Sequence, residues 1–305
     1  MTRRGLLLFV AMSLIWGIPY LLIRIAVSGV TPATLVFGRT TIAALILMPL
    51  VLARGDWRRI GRRWIPLVAF AGFEVAIPWF LLSSAEQRLS SSLAGLLISA
   101  VPLVGTLIAP LFGNRDSMGP SALVGLLVGL AGVGAIVGFD LHASDAGALV
   151  EMVGVVVGYA VGPAILSRFL AGIRAVTVNG IALTLCALAY APLAFVQRPE
   201  SIPSPAVLGS VVVLAVVCTA LAFILFFALI AEVGPVRATV ITYINPAVAA
   251  LLGVVVLREG FTLGMGAGFV LVIVGSVLAT RRRAPSRAPE PLSGAASEPG
   301  GQSSV

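Results

Sequence analysis

Ten stretches of apolar residues, at 5–26, 31–53, 64–84, 90–112, 118–138, 148–169, 177–196, 206–230, 234–257 and 262–280, follow one another with short polar breaks. Each is close to the ~20 residues that a helix needs to cross a bilayer. In hydrocarbon no water satisfies the N–H and C=O groups, so such runs must close their own hydrogen bonds as α-helices. Composition agrees: the chain is 59% hydrophobic and 10% charged, against roughly 45–50% and ~25% in an ordinary soluble domain. A water-soluble fold is excluded, and ten spans in 305 residues leave no room for a separate soluble catalytic domain. The first run has no small-residue cleavage site after it and is expected to be a retained span rather than a signal peptide.

A net charge of +8 would suggest nucleic acid in a soluble chain, but here the placement of the charges is what matters. All 20 basic residues are Arg, which points to a GC-rich bacterial genome. With the N-terminus in the cytoplasm, the inner side collects Arg3, Arg4, Arg54, Arg58, Arg59, Arg62, Arg63, Arg115, Arg168, Arg174, Arg237, Arg281, Arg282, Arg283 and Arg287. The outer side receives Arg24, Arg88, Arg198 and Arg258, and Arg39 lies within a span. Positive charge collects on the cytoplasmic side of membrane proteins, so both termini are expected there, and no nucleic-acid partner is expected. The loop 139–147, placed outside, carries Asp140 and Asp145 and no Arg. Residues 281–305, rich in Pro, Ser, Gly and Ala, cannot bury a core and are expected to form a disordered cytoplasmic tail. Cys186 and Cys218 fall inside apolar runs and His142 is the single histidine. Neither a disulfide framework nor a metal site is expected, and no cofactor.

Sliding the sequence against itself by 144 places Pro19 on Pro163, Leu22 on Leu166, Arg24 on Arg168 and Pro102 on Pro246. A shift of 143 places Arg115 on Arg258, Asp116 on Glu259, Gly125 on Gly268 and Gly132 on Gly275. The reading is an internal repeat, with residues 1–143 and 144–280 each holding five spans. An odd number of crossings returns the chain on the opposite side, so the second unit is expected to sit inverted relative to the first. Inverted pairs are a hallmark of secondary transporters, with the substrate site near the midplane between them.

Trp16-Gly17 in the first span, Arg39 in the second, Pro102 with the following Arg115-Asp116, and their partners Pro246 and Arg258-Glu259 make the chain resemble the EamA-type group of the drug/metabolite transporter superfamily. The resemblance covers residues 5–280. It implies an all-α integral membrane fold of ten transmembrane helices in two inverted five-helix repeats. It further implies a secondary transporter of the bacterial cytoplasmic membrane that exports a small organic metabolite or drug-like compound by alternating access, coupled to protons. The acidic residue after the fourth span is typically Glu in this group and is Asp116 here.

Residues three and four apart share a helix face. On that basis Ser13, Gly17, Tyr20 and Arg24 form one stripe, with Trp16 on its flank. Ser92, Gly95, Ser99, Pro102 and Thr106 form a second, and Glu151, Gly154, Gly158 and Gly162, with Tyr159 beside them, a third. Thr239, Thr242, Tyr243 and Pro246 form the fourth. The four are expected to converge on a central axis. The glycines, including Gly125 with Gly129 and Gly264 with Gly268, suit close helix packing, whereas Trp16, Tyr20 and Tyr243 are open between cavity lining and interface anchoring. Pro19, Pro102, Pro163 and Pro246 each remove a helical hydrogen bond, freeing the carbonyls of Ile15, Ile98, Tyr159 and Thr242, and are candidate flexing points.

Two charges lie deep. Arg39 is about 12 Å from the outer end of its span and Glu74 about 15 Å from the inner end of the next, at ~1.5 Å per residue. An ionisable residue at such depth is a functional candidate. Three roles are open: Glu74 meeting a proton or a cationic group, Arg39 meeting an anionic one, or the two locked as an ion pair.

The competing classes are a passive channel and an intramembrane enzyme. The second lacks a cluster of catalytic or metal-binding side chains, Asp140, His142 and Asp145 in a short loop being the nearest, so an enzyme is not expected. The expected partners are therefore a small-molecule substrate, membrane lipid and protons.

Overall fold

In a computed structural model, which describes residues 2–113, 119–138 and 145–280, the described residues form helices and connecting turns without a strand. Nine helices are long and apolar enough to cross a membrane: α1 (Arg3–Ala26), α2 (Pro32–Ala53), α3 (Gly61–Ala85), α4 (Ser91–Phe112), α5 (Pro120–Gly138), α6 (Ala146–Phe169), α7 (Ala175–Val196), α8 (Pro205–Val233) and α10 (Leu263–Thr280). The remaining helix, α9 (Ile241–Leu257), is shorter because a turn at 239–240 separates it from Pro235–Ala238. Arg115, Asp116, Asp140, His142 and the tail 281–305 lie outside the described residues.

Contacts between connections count the crossings. Call the side where α1 begins the proximal face and the opposite one distal. Proximally, Thr2 donates to Glu232, Arg63 to the Ala171 carbonyl and Arg168 to the Phe112 carbonyl. Distally, Thr34 donates to the Gln197 carbonyl, Arg88 to Asp145 and Glu151, and Ser91 and Ser92 to Glu259. Every pairing joins connections that ten crossings place on the same side. Leu7, Leu45, Val150, Phe195 and Leu263 are among many large apolar side chains left exposed, an apolar surface that only lipid would cover without penalty. The protein is a ten-helix integral membrane protein.

Eight helices close a ring through their neighbours in the order α1, α8, α2, α7, α3, α6, α4, α9 and back to α1. The pair α5 and α10 lies beside α4. These two meet backbone to backbone. A Cβ added at Gly125 would lie 2.5 Å from the Gly275 carbonyl oxygen, one at Gly132 2.7 Å from that of Gly268, and one at Gly275 2.4 Å from the Gly129 nitrogen. Small residues are what permit such an approach between membrane helices.

The ring helices are irregular in matching places. Ala71–Ala76 of α3 and Val216–Leu221 of α8 are π-helical. A π turn leaves carbonyls without their usual i+4 donors, and in a membrane those must be satisfied by side chains. On α7, Cys186 Sγ donates to the Ala71 carbonyl at 3.5 Å and Tyr190 Oη to that of Ala76 at 2.9 Å; in α8, Thr219 Oγ1 donates to the Leu214 carbonyl at 2.7 Å. Helices α1 and α4 are interrupted just before Pro19 and Pro102, with three-residue hydrogen bonds such as Gly17 N to Leu14 O and Ala100 N to Leu97 O. The four prolines do not act alike: α6 runs unbroken through Pro163 and α9 through Pro246, the interruption near α9 falling earlier at 239–240.

Candidate functional site

Arg39 sits inside the ring at 7% exposure. Its Nε donates to Thr219 Oγ1 on α8 at 2.9 Å, and its guanidinium carbon lies 3.6 Å from the centroid of Trp79 on α3. A cation over an indole face is held by the ring quadrupole, so Arg39 ties α2 to α3 and α8 at once. Its terminal nitrogens find no protein acceptor among the described residues. Tyr20 of α1, Tyr159 of α6 and Cys218 of α8 lie within its electrostatic reach. Five ring helices thus bring polar atoms to one interior region.

Glu74 does not pair with Arg39, and the ion pair left open by the sequence is not formed. The π turn that contains Glu74 turns its face away from what a 3.6-residue period gives, and the carboxylate points to α6. There Oε2 is buried without a partner, against Gly162, where a Cβ would lie 2.0 Å from it. Gly158 likewise receives Pro78 and the Phe73 carbonyl, and Gly154 receives Leu81. The glycine stripe of α6 is therefore a packing surface for α3. Glu151, at its distal end, accepts from Ser84 at 2.9 Å and Arg88 at 2.6 Å.

The other predicted residues divide. Tyr20 is buried beside Gly95, and Tyr159 is half-buried within reach of both Tyr20 and Glu74. Trp16 packs tilted against Phe226 of α8, centroids 4.7 Å apart and planes at 47°. Ser99 is buried and donates to its own helix at Leu96, while Thr242 is exposed and donates to Thr239. Tyr243 and Pro102 are half-buried and Pro246 is buried. Thus α1, α4 and α9 meet directly, α6 packs on α3 and α4, and Tyr20 and Tyr159 complete the convergence across the ring.

Trp79, Thr219 and Glu86 were not singled out by periodicity. Glu86 is wholly buried just past the end of α3, with neither carboxylate oxygen bonded. Close by, Glu259 caps α4: it accepts from the Ser91 and Ser92 N–H groups, both at 2.8 Å, and from both hydroxyls. A carboxylate at a helix N-terminus satisfies orphan donors and meets the positive end of the helix dipole. Gly253 leaves room for it, since a Cβ there would lie 2.3 Å from Glu259 Oε2. On the same face, the Ala148 N–H, joined by Arg88, holds Asp145 below the ordinary carboxyl range. Among the described residues no group of three or more His, Cys, Asp and Glu is placed to hold a metal.

A ring of membrane helices with a cation, two tyrosines and an unpaired carboxylate inside it has the build of a polytopic transporter. The comparisons with known proteins carry this further: the EamA-like transporter family matches residues 3–138 and again 147–281, and the chain belongs to that family. It is 27% identical to the uncharacterized inner membrane transporter YedA of Escherichia coli K12, over 80% of this chain and 79% of that one. It is 25% identical to an uncharacterized transporter of Archaeoglobus fulgidus, covering 88% and 95% of the two chains. With the uncharacterized transporter YvbV of Bacillus subtilis it shares 23% identity over 91% of each. One solved crystal structure superposes with a TM-score of 0.65 at 22% identity, over 92% of this chain and 97% of its own, and supports the fold.

Proposed function

We propose that this membrane transporter is a secondary carrier that exports a small organic metabolite or drug-like compound across the bacterial cytoplasmic membrane, by alternating access coupled to protons. The proximal face, with both termini, is cytoplasmic in this reading, as the Arg distribution requires. Arg39 is the observation that carries it: a buried cation held on one edge by Thr219 and on one face by Trp79, with its terminal nitrogens left for a solute. Ion binding to fixed charges at the interior of a helix ring is how such carriers hold polar solutes.

Residues 1–143 and 144–280 are read as inverted repeats. Supporting this, the family matches twice, the π turns fall 145 residues apart (216 − 71), and the ring neighbours exchange under a five-helix shift: α1–α8 with α6–α3, α2–α8 with α7–α3, α1–α9 with α6–α4. One exchange fails. The distal halves of α1 and α4 pack together at Tyr20 and Gly95, while α6 and α9 have no comparable packing. In an inverted pair, this asymmetry reads as a distal face shut and a proximal face parted.

The test is a metabolite comparison between cells with and without the protein, then assay of the changed compound in proteoliposomes under an imposed pH difference. Uptake that collapses with an uncoupler fits a coupled carrier; uptake that only equilibrates fits a pore. Arg39→Lys keeps the charge but not the planar stack and is expected to lower transport at least tenfold, with protein abundance unchanged. If Glu74→Gln keeps full transport at every pH, Glu74 has no part in coupling.

A further inference from the structure

Of the described carboxylates on the distal rim, Glu200 is exposed and three others are tied to neighbours. Asp145 and Glu151 take Arg88, and Glu259 takes the start of α4. Glu86 instead turns inward, 0% exposed, with both oxygens unbonded. Its nearest cation, Arg24 on α1, spends an N–H on the Glu86 main-chain carbonyl, not on the side chain. Within electrostatic reach of the carboxyl are Tyr20 and Arg24 from α1, Arg39 from α2, Tyr159 from α6 and Glu259 from the α9–α10 connection. Burial, and then Glu259, push it well above the ordinary carboxylate range, with Arg24 and Arg39 opposing. An ionised carboxylate with no hydrogen-bond partner is not sustained in such a place, so in this conformation the group is the neutral acid.

Its location gives that protonation a consequence. Arg24, with Val27, Ser28 and Gln87, lines a pocket of about 410 Å³ on the same rim. The α1–α4 packing at Tyr20 and Gly95 lies one helical turn deeper. Parting α1 from α4 would admit water to Glu86 and relieve its burial, the larger influence, although Arg24 would leave with α1. The O–H bond then breaks, its electron pair stays on the carboxylate, and the proton passes to water.

We propose that Glu86 is a proton-binding site, filled when the distal face is shut and emptied when it opens. The opening belongs to the alternating-access reading above; the filled site does not depend on it. By linkage, the state that binds the extra proton is favoured at low pH, and the distal face opens as pH rises.

Two measurements on the full-length protein in lipid nanodiscs test this without any substrate. Infrared spectroscopy at pH 7 is expected to show a carboxylic-acid C=O stretch that Glu86→Gln loses and Glu74→Gln retains. Thiol labelling of Ala94→Cys, buried in α4, in a Cys186→Ser, Cys218→Ala background, with the rate taken relative to a solvent-exposed control cysteine at the same pH to remove thiolate ionisation, is expected to quicken by about tenfold per pH unit below its plateau, as one-proton linkage requires. With Glu86→Gln, a neutral mimic that folds if the site is protonated, the rate is expected to vary less than twofold, and Glu86→Asp is expected to keep the response with a moved midpoint. A Glu86→Gln spectrum identical to the parent, or the same pH response in both, overturns the proposal. So does labelling that follows Na⁺ at fixed pH, which makes the occupant a metal cation. Positive results here with no transport in proteoliposomes leave the proton site standing and sink the carrier reading.

Discussion

Replacing Glu259 by Gln tests whether the distal cap holds the fold together. The carboxylate accepts four hydrogen bonds, two from backbone N–H groups at 2.8 Å and two from the hydroxyls of Ser91 and Ser92 at 3.1 and 2.6 Å. The hydroxyls can rotate to other acceptors, as Ser92 already partly does toward the Ala250 carbonyl at 3.3 Å; the N–H groups cannot. A hydrogen bond to a charged group is worth about 1.5–3 kcal/mol. The amide keeps one oxygen for one N–H and turns an NH₂ toward the other, so the expected loss is about 2–3 kcal/mol. At ~2–4 °C per kcal/mol for larger chains, the melting midpoint in detergent should fall by about 5–10 °C. The Ser91→Ala, Ser92→Ala double variant leaves the two N–H bonds intact and should lose about half as much. Combined with Glu259→Gln it should add little, since both remove the same network. A Glu259→Gln protein that melts within 1 °C or so of the parent, or full additivity in the cycle, would refute the cap as the anchor of α4.

The glycine seam should rank by what the new methyl meets. Gly275→Ala strikes backbone at 2.4 Å and should be costly, about 1–3 kcal/mol or more for overpacking. Gly129→Ala meets the flexible Leu103 side chain first and should cost less, and Gly134→Ala meets open space and should be neutral or stabilising. Thermal melts that invert this order would disprove backbone contact. Tyr190→Phe removes the donor to the Ala76 carbonyl and should cost about 1–3 kcal/mol for an orphaned acceptor, readable in the same melts; Phe80→Leu, which removes only its ring partner, should cost less. Because the Asp145 carboxyl is held low, its tie to Ala148 and Arg88 should persist down through the ordinary Asp range near ~3.9 and loosen only below it. Amide exchange at Ala148 that accelerates already above that range would contradict the assignment.

The ten spans were legible because a run of apolar residues has only one way to cross a bilayer, and the structure moves their ends by a few residues. The ninth was harder: hydropathy is blind to the turn at 239–240, which cuts the continuous segment 234–257 into two helices. Glycine packing between α5 and α10 was readable for the same steric reason that makes it work. The interior charges were found by depth alone, but their partners were not. A π turn adds a residue that no 3.6-residue wheel contains, so the wheel leaves a pairing of Glu74 with Arg39 open, whereas Glu74 faces α6. Trp79 escaped notice because an indole in an apolar run reads as core, and Glu86 because a carboxylate two residues from Arg88 reads as solvated loop. Only three-dimensional placement shows that the Arg88 side chain reaches the surface while Glu86, two residues before it, does not.

The seam between α5 and α10 also limits how this sequence can change over time. Where two main chains touch, a side chain cannot be gained on one helix until the other has moved, and Gly132 and Gly268 each block the other's enlargement. Drift at either position alone is closed off, so the final helices of the two halves are bound to vary together, as a single inherited part.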